Sequence, residues 1–160
     1  RMMLNLLDSH DTDRFYTSVG GDRDRLLSAA AVMVMFPGAP CVYYGTELPL
    51  EGGYDPDNRR CFDWEQAHWD AAYMEKLKAL MELREERILQ TGEIRMHAGN
   101  GLFILKRFDR SGELTLYCNR RDESLPLAAE GPIAAQNGYG RGKIGPEGFV
   151  IFRNRIPEEE

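Results

Sequence analysis

The sequence predicts a mixed α/β segment followed by an all-β domain, and two observations support this. In the first half, an apolar run, a polar loop, an apolar helix, a tight turn and a branched or aromatic run follow one another, which is the order of a βαβ unit. After Thr91-Gly92 the helical period disappears, and short segments separated by Gly, Asp and Asn replace it. We therefore predict a boundary near residues 89–92, with domains over 1–90 and 91–160.

The first predicted strand covers residues 2–7 and ends in a polar cluster over residues 8–14. Its apolar run is nearly continuous, which is typical of a strand buried on both faces of a parallel sheet. Ligands bind at the carboxyl ends of parallel strands, so His10 and Asp11 are candidate site residues. We expect Asp8 and Asp13 to shape the loop by accepting hydrogen bonds from backbone amides.

A helix is predicted over about residues 23–36, with Asp22 as its N-cap. Beyond Ser28 this helix is apolar on every side, so it must pack between other elements. Pro37-Gly38-Ala39-Pro40 ends it, and the branched and aromatic residues 41–44 predict a second buried strand.

A long polar loop over residues 48–65 separates this unit from the next predicted helix. Loops of that length inside a compact domain are usually functional. Residues 66–89 carry apolar side chains at steps of three and four, which predicts one amphipathic helix. The strands predicted beyond it, at residues 95–97, 102–108, 114–119, 124–128 and 149–153, indicate a small antiparallel sandwich or meander.

Composition excludes several classes of partner. The chain is 42% hydrophobic and 29% charged, as in globular proteins, and its net charge of -6 argues against nucleic acid. No apolar run reaches the roughly 18 residues of a membrane-spanning helix, so no membrane partner is expected. Cys41, Cys61 and Cys118 lack the spacing of a disulfide framework or a metal site. We expect mostly buried thiols, which favours a reducing, cytoplasmic location.

Three motifs occur in a specific order in the first 64 residues. They are Asn5-Leu6-Leu7-Asp8-Ser9-His10-Asp11-Thr12 with Arg14-Phe15, then Pro37-Gly38-Ala39-Pro40-Cys41-Val42-Tyr43-Tyr44-Gly45-Thr46-Glu47, then Gly52-Gly53-Tyr54-Asp55-Pro56-Asp57-Asn58-Arg59-Arg60 with Asp63-Trp64. Together they resemble the α-amylase family of glycoside hydrolases (family 13), and most nearly its neopullulanase, cyclomaltodextrinase and maltogenic amylase branch. The resemblance covers residues 1 to about 90 closely and extends more loosely to the β-rich remainder.

This resemblance implies a more specific fold. The α/β segment would be the C-terminal end of a (β/α)8 barrel, in which residues 2–7 and 41–44 form strands seven and eight and residues 66–89 form the last helix. A small antiparallel β-sandwich domain would follow the barrel.

The resemblance also implies roles for individual residues. His10 matches a histidine that hydrogen-bonds sugar hydroxyls, and Asp11 matches the third catalytic carboxylate, which stabilises the transition state. Asp55 and Arg59 match residues that contact a glucose further along the donor side. Tyr54 is a further candidate substrate-binding residue, because the apolar face of a sugar suits an aromatic ring. A carboxylate held against the ring gains strength as positive charge develops at the anomeric carbon, which fits the role of Asp11.

In the family, the nucleophile and the general acid lie on barrel strands four and five, upstream of Arg1. We therefore expect this chain to be an inactive C-terminal fragment of a retaining hydrolase that cleaves α-1,4-glucosidic bonds in maltooligosaccharides, cyclodextrins or pullulan. The alternative is a free-standing carbohydrate-binding or assembly module without catalysis. No cofactor or metal is expected in this segment, although calcium could bind elsewhere in the parent protein. Because two parallel strands leave unpaired edges, we expect self-association or pairing with the missing barrel segment.

Simpler interpretations remain open for several of these residues. His10 and Asp11 could satisfy each other at a strand end, and Asp55 with Arg59 could be an ion pair that only stabilises the loop. Tyr54 could anchor that loop instead of binding sugar. A metal site of the phosphohydrolase type is disfavoured, since the remaining histidines, His68 and His97, form no suitable cluster.

Overall fold

The computed structural model describes residues 3–155, which form a mixed helical and antiparallel-sheet fold. Its helices are α1 Phe15–Ser18, α2 Arg23–Met35, α3 Ala71–Glu82 and α4 Arg87–Thr91. Its strands are β1 Leu4–Leu6, β2 Ala39–Cys41, β3 Glu93–Gly99, β4 Leu102–Asp109, β5 Gly112–Asn119, β6 Leu125–Pro126, β7 Ile133–Gly140 and β8 Lys143–Arg155.

The βαβ unit is present, because β1 and β2 pair in parallel and α2 connects them. The pairing runs from Leu4 opposite Ala39 to Leu6 opposite Cys41. β2 begins two residues and ends three residues before the strand predicted over residues 41–44. Tyr43 and Tyr44 lie beyond it, against the buried Arg14 side chain.

The prediction that both strands are buried is wrong for this chain. Leu4 and Leu6 of β1 are exposed, as are the ends of β2. The reason is that, among residues 3–155, this sheet consists of β1 and β2, and a sheet of two strands is too narrow to have its faces covered as in a larger sheet. Residue 2, where the first strand was predicted to begin, lies outside the described residues.

The helix α2 has the predicted N-cap and the predicted burial. The Asp22 carboxylate accepts hydrogen bonds from the amides of Asp24 (2.9 Å) and Arg25 (3.0 Å), which satisfies two of the free amides of the first turn. Seven of its thirteen residues are buried, from Leu26 to Met35. An apolar helix packed on several sides therefore forms the centre of the molecule.

Two arginine side chains hold the C-terminal end of α2. Arg107 is buried and donates from Nη1 to the carbonyl of Met35 over 2.9 Å. Arg84 donates from Nη1 to the carbonyl of Val34 (3.2 Å) and from Nη2 to that of Gly38 (2.6 Å). The last carbonyls of a helix lack partners within the helix and carry partial negative charge, so two cations there satisfy both needs.

The single helix predicted over residues 66–89 is interrupted. Short 3₁₀ turns, Gln66–His68 and Leu83–Glu85, flank α3, and α4 follows separately. Asp70 adopts an extended backbone and caps α3 by accepting from the amide of Tyr73 (3.0 Å), while Glu86 is extended as well. Apolar residues continue at steps of three and four across these interruptions, so the sequence alone did not reveal that the helix is divided.

The remaining strands form a six-stranded antiparallel sheet in the order β3-β4-β5-β8-β6, with β7 also paired to β8. All five predicted strands are present, but β7 was missed and β8 begins six residues before the prediction. β7 contains Ala, Gln, Asn and Gly, and the early part of β8 contains Gly145, Pro146 and Gly148, which are poor strand formers. A sandwich arrangement of these strands stays a prediction.

One continuous core includes residues from both sides of the predicted boundary. Leu26 of α2 and Leu80 of α3 belong to the same buried cluster as Leu105, Leu116 and Ile151 of the sheet. None of the helices within residues 3–155 combines the length and the apolar character needed to cross a membrane. The division into domains over 1–90 and 91–160 stays a prediction.

The cysteines differ from expectation, since Cys41 and Cys61 are exposed and only Cys118 is buried. Cys41 is exposed because the outer side of β2 lacks described cover, and Cys61 lies in the long loop. Burial raises the pKa of the Cys118 thiol to about 12, so this side chain stays a neutral apolar group in the core.

Replacing Arg107 tests how much the end of α2 depends on its cation. We expect Arg107→Met to lower the free energy of unfolding by about 3 kcal/mol, because the carbonyls of Met35 and Gly92 lose their donors inside the protein. Urea unfolding measures the loss. The matched control is Arg110→Met at an exposed position, for which we expect a change within about 0.5 kcal/mol. Equal stabilities of the two variants would contradict this account.

Candidate functional site

The polar cluster after β1 forms a compact turn that begins at the buried residue Asp8. Its carboxylate accepts from the amide of Phe15 (3.0 Å) and from the hydroxyl of Thr46 (3.1 Å). The prediction is therefore confirmed for Asp8, at one backbone amide, and stays a prediction for Asp13. The carbonyl of Thr46 in turn accepts from the Tyr73 hydroxyl (3.0 Å), so this turn is tied to the residues after β2 and to α3.

His10 and Asp11 lie at the exposed tip of the turn. Their side chains are 60% and 73% exposed, and His10 Nε2 lies 3.3 Å from Asp11 Oδ2. The amide of Asp11 donates to Ser9 Oγ (3.1 Å), and the amide of Ser9 donates to Thr12 Oγ1 (3.0 Å). The backbone is thus fixed locally while both functional groups remain open to a ligand.

Asn58 holds the turn from the opposite side. Its side chain is 0% exposed, and Nδ2 donates to the carbonyls of His10 (2.9 Å) and Thr12 (2.8 Å). These two carbonyls flank Asp11 on either side. Asn58 therefore fixes the peptide group before Asp11 and the one that follows Thr12.

Arg14 joins the turn to two further segments. Its side chain is 1% exposed, and it donates from Nε to the carbonyl of Asn58 (2.8 Å) and from Nη1 to that of Tyr44 (2.6 Å). The guanidinium carbon lies 4.1 Å from the ring centroid of Tyr43 and 4.7 Å from that of Tyr44, which are cation–π distances. We call Arg14, Asn58, Tyr43 and Tyr44 the arginine network.

Gly52 allows the long loop to approach this network closely. Its carbonyl accepts from the amide of Arg14 (2.8 Å), and its own amide donates to Thr17 Oγ1 (2.8 Å). A Cβ at this position would lie 2.7 Å from Asn58 Cα and 3.1 Å from Arg14 Cγ. Only glycine fits here without moving the backbone.

The long loop carries the remaining predicted site residues. Asp55 Oδ1 and Arg59 Nε lie 2.7 Å apart, and both side chains are about half exposed. The ion pair weighed from the sequence is therefore present, and both partners can still be reached by a ligand. Tyr54 is exposed and does not pack under the loop, which disfavours the anchoring interpretation. The loop is connected to the His10–Asp11 turn through Asn58, which lies beside Arg59.

A second ion pair stabilises the same loop. Asp57 accepts from Arg60 Nε (2.7 Å) and Nη2 (2.9 Å), and the amide of Gly53 donates to Asp57 (2.8 Å). The hydrogen bond from Arg60 lowers the pKa of Asp57 below its usual range, and the hydrogen bond from the Gly53 amide contributes a smaller part. Within residues 3–155, no three His, Cys, Asp or Glu side chains are grouped to hold a metal ion.

Sequence reasoning did not assign a role to Arg14 or Asn58. Both residue types are usually exposed, so nothing in their identity indicates full burial. Their positions inside two of the three motifs were the available signal.

Comparison with known proteins assigns the class to which this fold and site belong. Residues 1–98 match the family described as alpha amylase, catalytic domain. The match covers more than half of the chain, so the chain belongs to the α-amylase family. The resemblance derived from the three motifs is confirmed.

Individual members of the family are also similar to this chain in sequence. The chain is 32% identical over 136 residues to a cyclomaltodextrinase of Geobacillus thermopakistaniensis, covering 80% of the chain and 23% of that protein. It is 34% identical over 134 residues to neopullulanase 2 of Thermoactinomyces vulgaris, covering 81% of the chain and 23% of that protein. It therefore spans about a quarter of the length of these relatives.

A solved structure shows the same relationship in three dimensions. The α-amylase from Geobacillus thermoleovorans, complexed with acarbose, superposes with a TM-score of 0.80 at 25% identity. The superposition covers 99% of this chain and 40% of that one. The mixed fold with its antiparallel sheet is thus a fold found in the α-amylase family.

Removing the Asn58 side chain tests whether it fixes the turn. We expect Asn58→Ala to lower the free energy of unfolding by about 2 kcal/mol, because two hydrogen bonds to backbone carbonyls are lost. We also expect the NMR amide signals of residues 10–12 to shift and their hydrogen exchange to accelerate. The exposed Asn154→Ala variant is the control and should change neither property. Unchanged signals at residues 10–12 in Asn58→Ala would refute a positioning role.

Proposed function

We propose that this chain supplies part of the active site of a retaining α-glucan hydrolase that cleaves α-1,4-glucosidic bonds in maltooligosaccharides, cyclodextrins or pullulan. The observation that carries the proposal is the turn at His10 and Asp11, whose side chains face solvent while buried Asn58 and Arg14 fix its backbone. The names of the relatives, cyclomaltodextrinase and neopullulanase, favour this substrate class.

In this proposal, Asp11 stabilises the transition state. Cleavage of a glycosidic bond develops positive charge at the anomeric carbon and its ring oxygen. A carboxylate held against the sugar hydroxyls interacts more strongly as that charge grows, so it lowers the barrier more than it tightens substrate binding. His10, 3.3 Å from Asp11, hydrogen-bonds a hydroxyl of the same glucose and keeps the ring in register with the carboxylate.

The long loop binds the substrate further along the donor side. Arg59 and Asp55 offer a donor and an acceptor to the hydroxyls of a second glucose, and the exposed ring of Tyr54 offers an apolar face. Because Asn58 contacts the His10–Asp11 turn directly, the two groups of residues keep a fixed spacing.

The proposed architecture follows from the same relationship. β1 and β2 are strands seven and eight of a (β/α)8 barrel, α3 and α4 follow strand eight, and residues 91–160 form a β-sandwich domain. The parallel pairing of β1 with β2 and the polar turn after β1 support this placement. The nucleophile and the general acid lie in the part of the parent that precedes residue 1. The cytoplasmic location stays a prediction.

The role of Asp11 in catalysis is tested by Asp11→Asn in the parent protein and in the 160-residue chain. In the parent protein, we expect Asp11→Asn to lower kcat at least about a thousandfold, because the neutral amide cannot stabilise the developing charge. The matched control is Asp13→Asn, two residues away on the same exposed turn, which should retain kcat within about threefold. Release of a chromogenic group from a maltooligosaccharide measures both.

The 160-residue chain alone should release no product above background in the same assay. Turnover by this chain that disappears in Asp11→Asn would overturn the proposal that the other two carboxylates lie outside it. Near-normal turnover of Asp11→Asn in the parent would instead remove Asp11 from the mechanism.

Exposed apolar groups on β1 suggest what the isolated chain does in solution. Leu4 and Leu6 line an open cleft of about 540 Å³ together with Phe15, Val32 and Phe36. We propose that the preceding barrel segment fills this cleft in the parent and that, without it, copies of the chain associate through it.

We expect the mass measured by light scattering to rise with protein concentration and Leu4→Asp to suppress the rise. Met96→Asp, at another exposed apolar position, on β3, is the control and should leave association unchanged. A constant monomer mass over a hundredfold range of concentration would refute this proposal.

A further inference from the structure

Three aromatic side chains form a cluster at the end of the long loop and just beyond it. The Phe62 ring centroid lies 4.6 Å from that of Trp64, with 54° between the planes, and 6.0 Å from that of Trp69, with 77° between the planes. Phe62 and Trp69 are half-buried, whereas Trp64 is 80% exposed. We call these three residues the aromatic platform. An indole this exposed, held by a neighbouring ring, leaves a large apolar surface in contact with water.

Asp63 fixes the Trp69 ring of the aromatic platform and the backbone on either side of Trp64. Its carbonyl accepts from Trp69 Nε1 (2.8 Å), and its carboxylate accepts from the amide of Glu65 (2.9 Å) and lies 2.9 Å from His68 Nδ1. The hydrogen bond from the Glu65 amide lowers the pKa of Asp63 below its usual range, and the contact with His68 contributes a smaller part. Because these contacts order Trp69 and the backbone around Trp64 before any ligand arrives, binding to the platform costs less conformational entropy.

An open groove of about 400 Å³ adjoins the platform. Trp69 and Met74 give it apolar surface, and Gln66, Glu75 and Lys78 give it an amide, a carboxylate and an ammonium group. Trp69 belongs to both features, so the groove continues from the aromatic platform along α3.

The combination defines the chemistry of a ligand. Aromatic rings flanked by separate hydrogen-bonding groups suit a neutral molecule that has both apolar faces and a rim of hydroxyls. Asp63, Glu65 and Glu75 disfavour a polyanion, and the mixed polar lining disfavours a purely apolar ligand. An oligosaccharide meets all of these requirements.

We propose that the aromatic platform and its groove are a second glucan-binding site, separate from the His10–Asp11 turn and devoted to binding without chemistry. The choice of α-1,4-glucan among oligosaccharides rests on the proposed function. The platform binds the apolar face of one glucose on Trp64, and the groove hydrogen-bonds the next residues of the same chain.

The sequence provides a direct reporter for this site. The chain contains two tryptophans, and both are platform residues. We expect maltoheptaose to change the tryptophan fluorescence of the 160-residue protein with a saturable dependence on concentration, and cellohexaose to have a much weaker effect. Calorimetry gives the affinity independently.

Two variants separate this site from the candidate active site. Trp64→Ala removes an exposed ring and should weaken binding of maltoheptaose at least about tenfold in calorimetry. The double variant His10→Ala/Arg59→Ala removes groups from the other site and should leave the fluorescence change of the wild type intact. This result would hold even if Asp11→Asn left the parent fully active. The proposal of a second glucan-binding site can therefore be correct when the proposed role of Asp11 is wrong.

Other outcomes would overturn the proposal. These are no fluorescence change or heat up to about 10 mM maltoheptaose, binding that the double variant abolishes and Trp64→Ala leaves unchanged, or equal binding of cellohexaose. Loss of self-association in Trp64→Ala without any effect of sugar would assign the platform to a protein contact instead.

Discussion

The arrangement of the candidate site depends on the Arg14 guanidinium. It donates to the carbonyls of Asn58 and Tyr44 and lies against the rings of Tyr43 and Tyr44. Three segments that are separate in sequence, the turn after β1, the residues after β2 and the long loop, therefore meet at one buried cation. Asn58 joins the His10–Asp11 turn to the long loop directly, and Arg14 ties both of them to the residues after β2.

Two further arginines hold the end of α2, and one of them, Arg107, connects it to the antiparallel sheet. Arg107 belongs to β4 and Arg84 follows α3, yet both donate to carbonyls at the end of α2. Because α2 also connects β1 to β2, the position of the turn after β1 is coupled to the packing of the sheet. This explains how one core can extend across the change from helical to β-rich sequence at Thr91-Gly92.

The parts of this structure that sequence predicted are those set by local rules. The cap at Asp22, the apolar helix behind it and most of the strands follow from spacing and residue type. Burial of Arg14 and Asn58 could not be predicted, because it is decided by partners 30 to 48 residues away. His10 and Asp11 were found through their motif, and the network that fixes them was found only in three dimensions.

The chemistry of the arginine network argues that it positions and does not merely stabilise. Removing a cation from water is costly, and a buried charge is often no more stabilising than apolar residues of equal volume. A planar guanidinium and an amide supply direction, which apolar side chains do not, because their N–H groups lie at fixed angles to one another. Asn58 donates on both sides of Asp11, and Arg14 holds Asn58 by its backbone. The proposed role of Asp11 requires a carboxylate on a fixed backbone, and these hydrogen bonds fix the backbone around it.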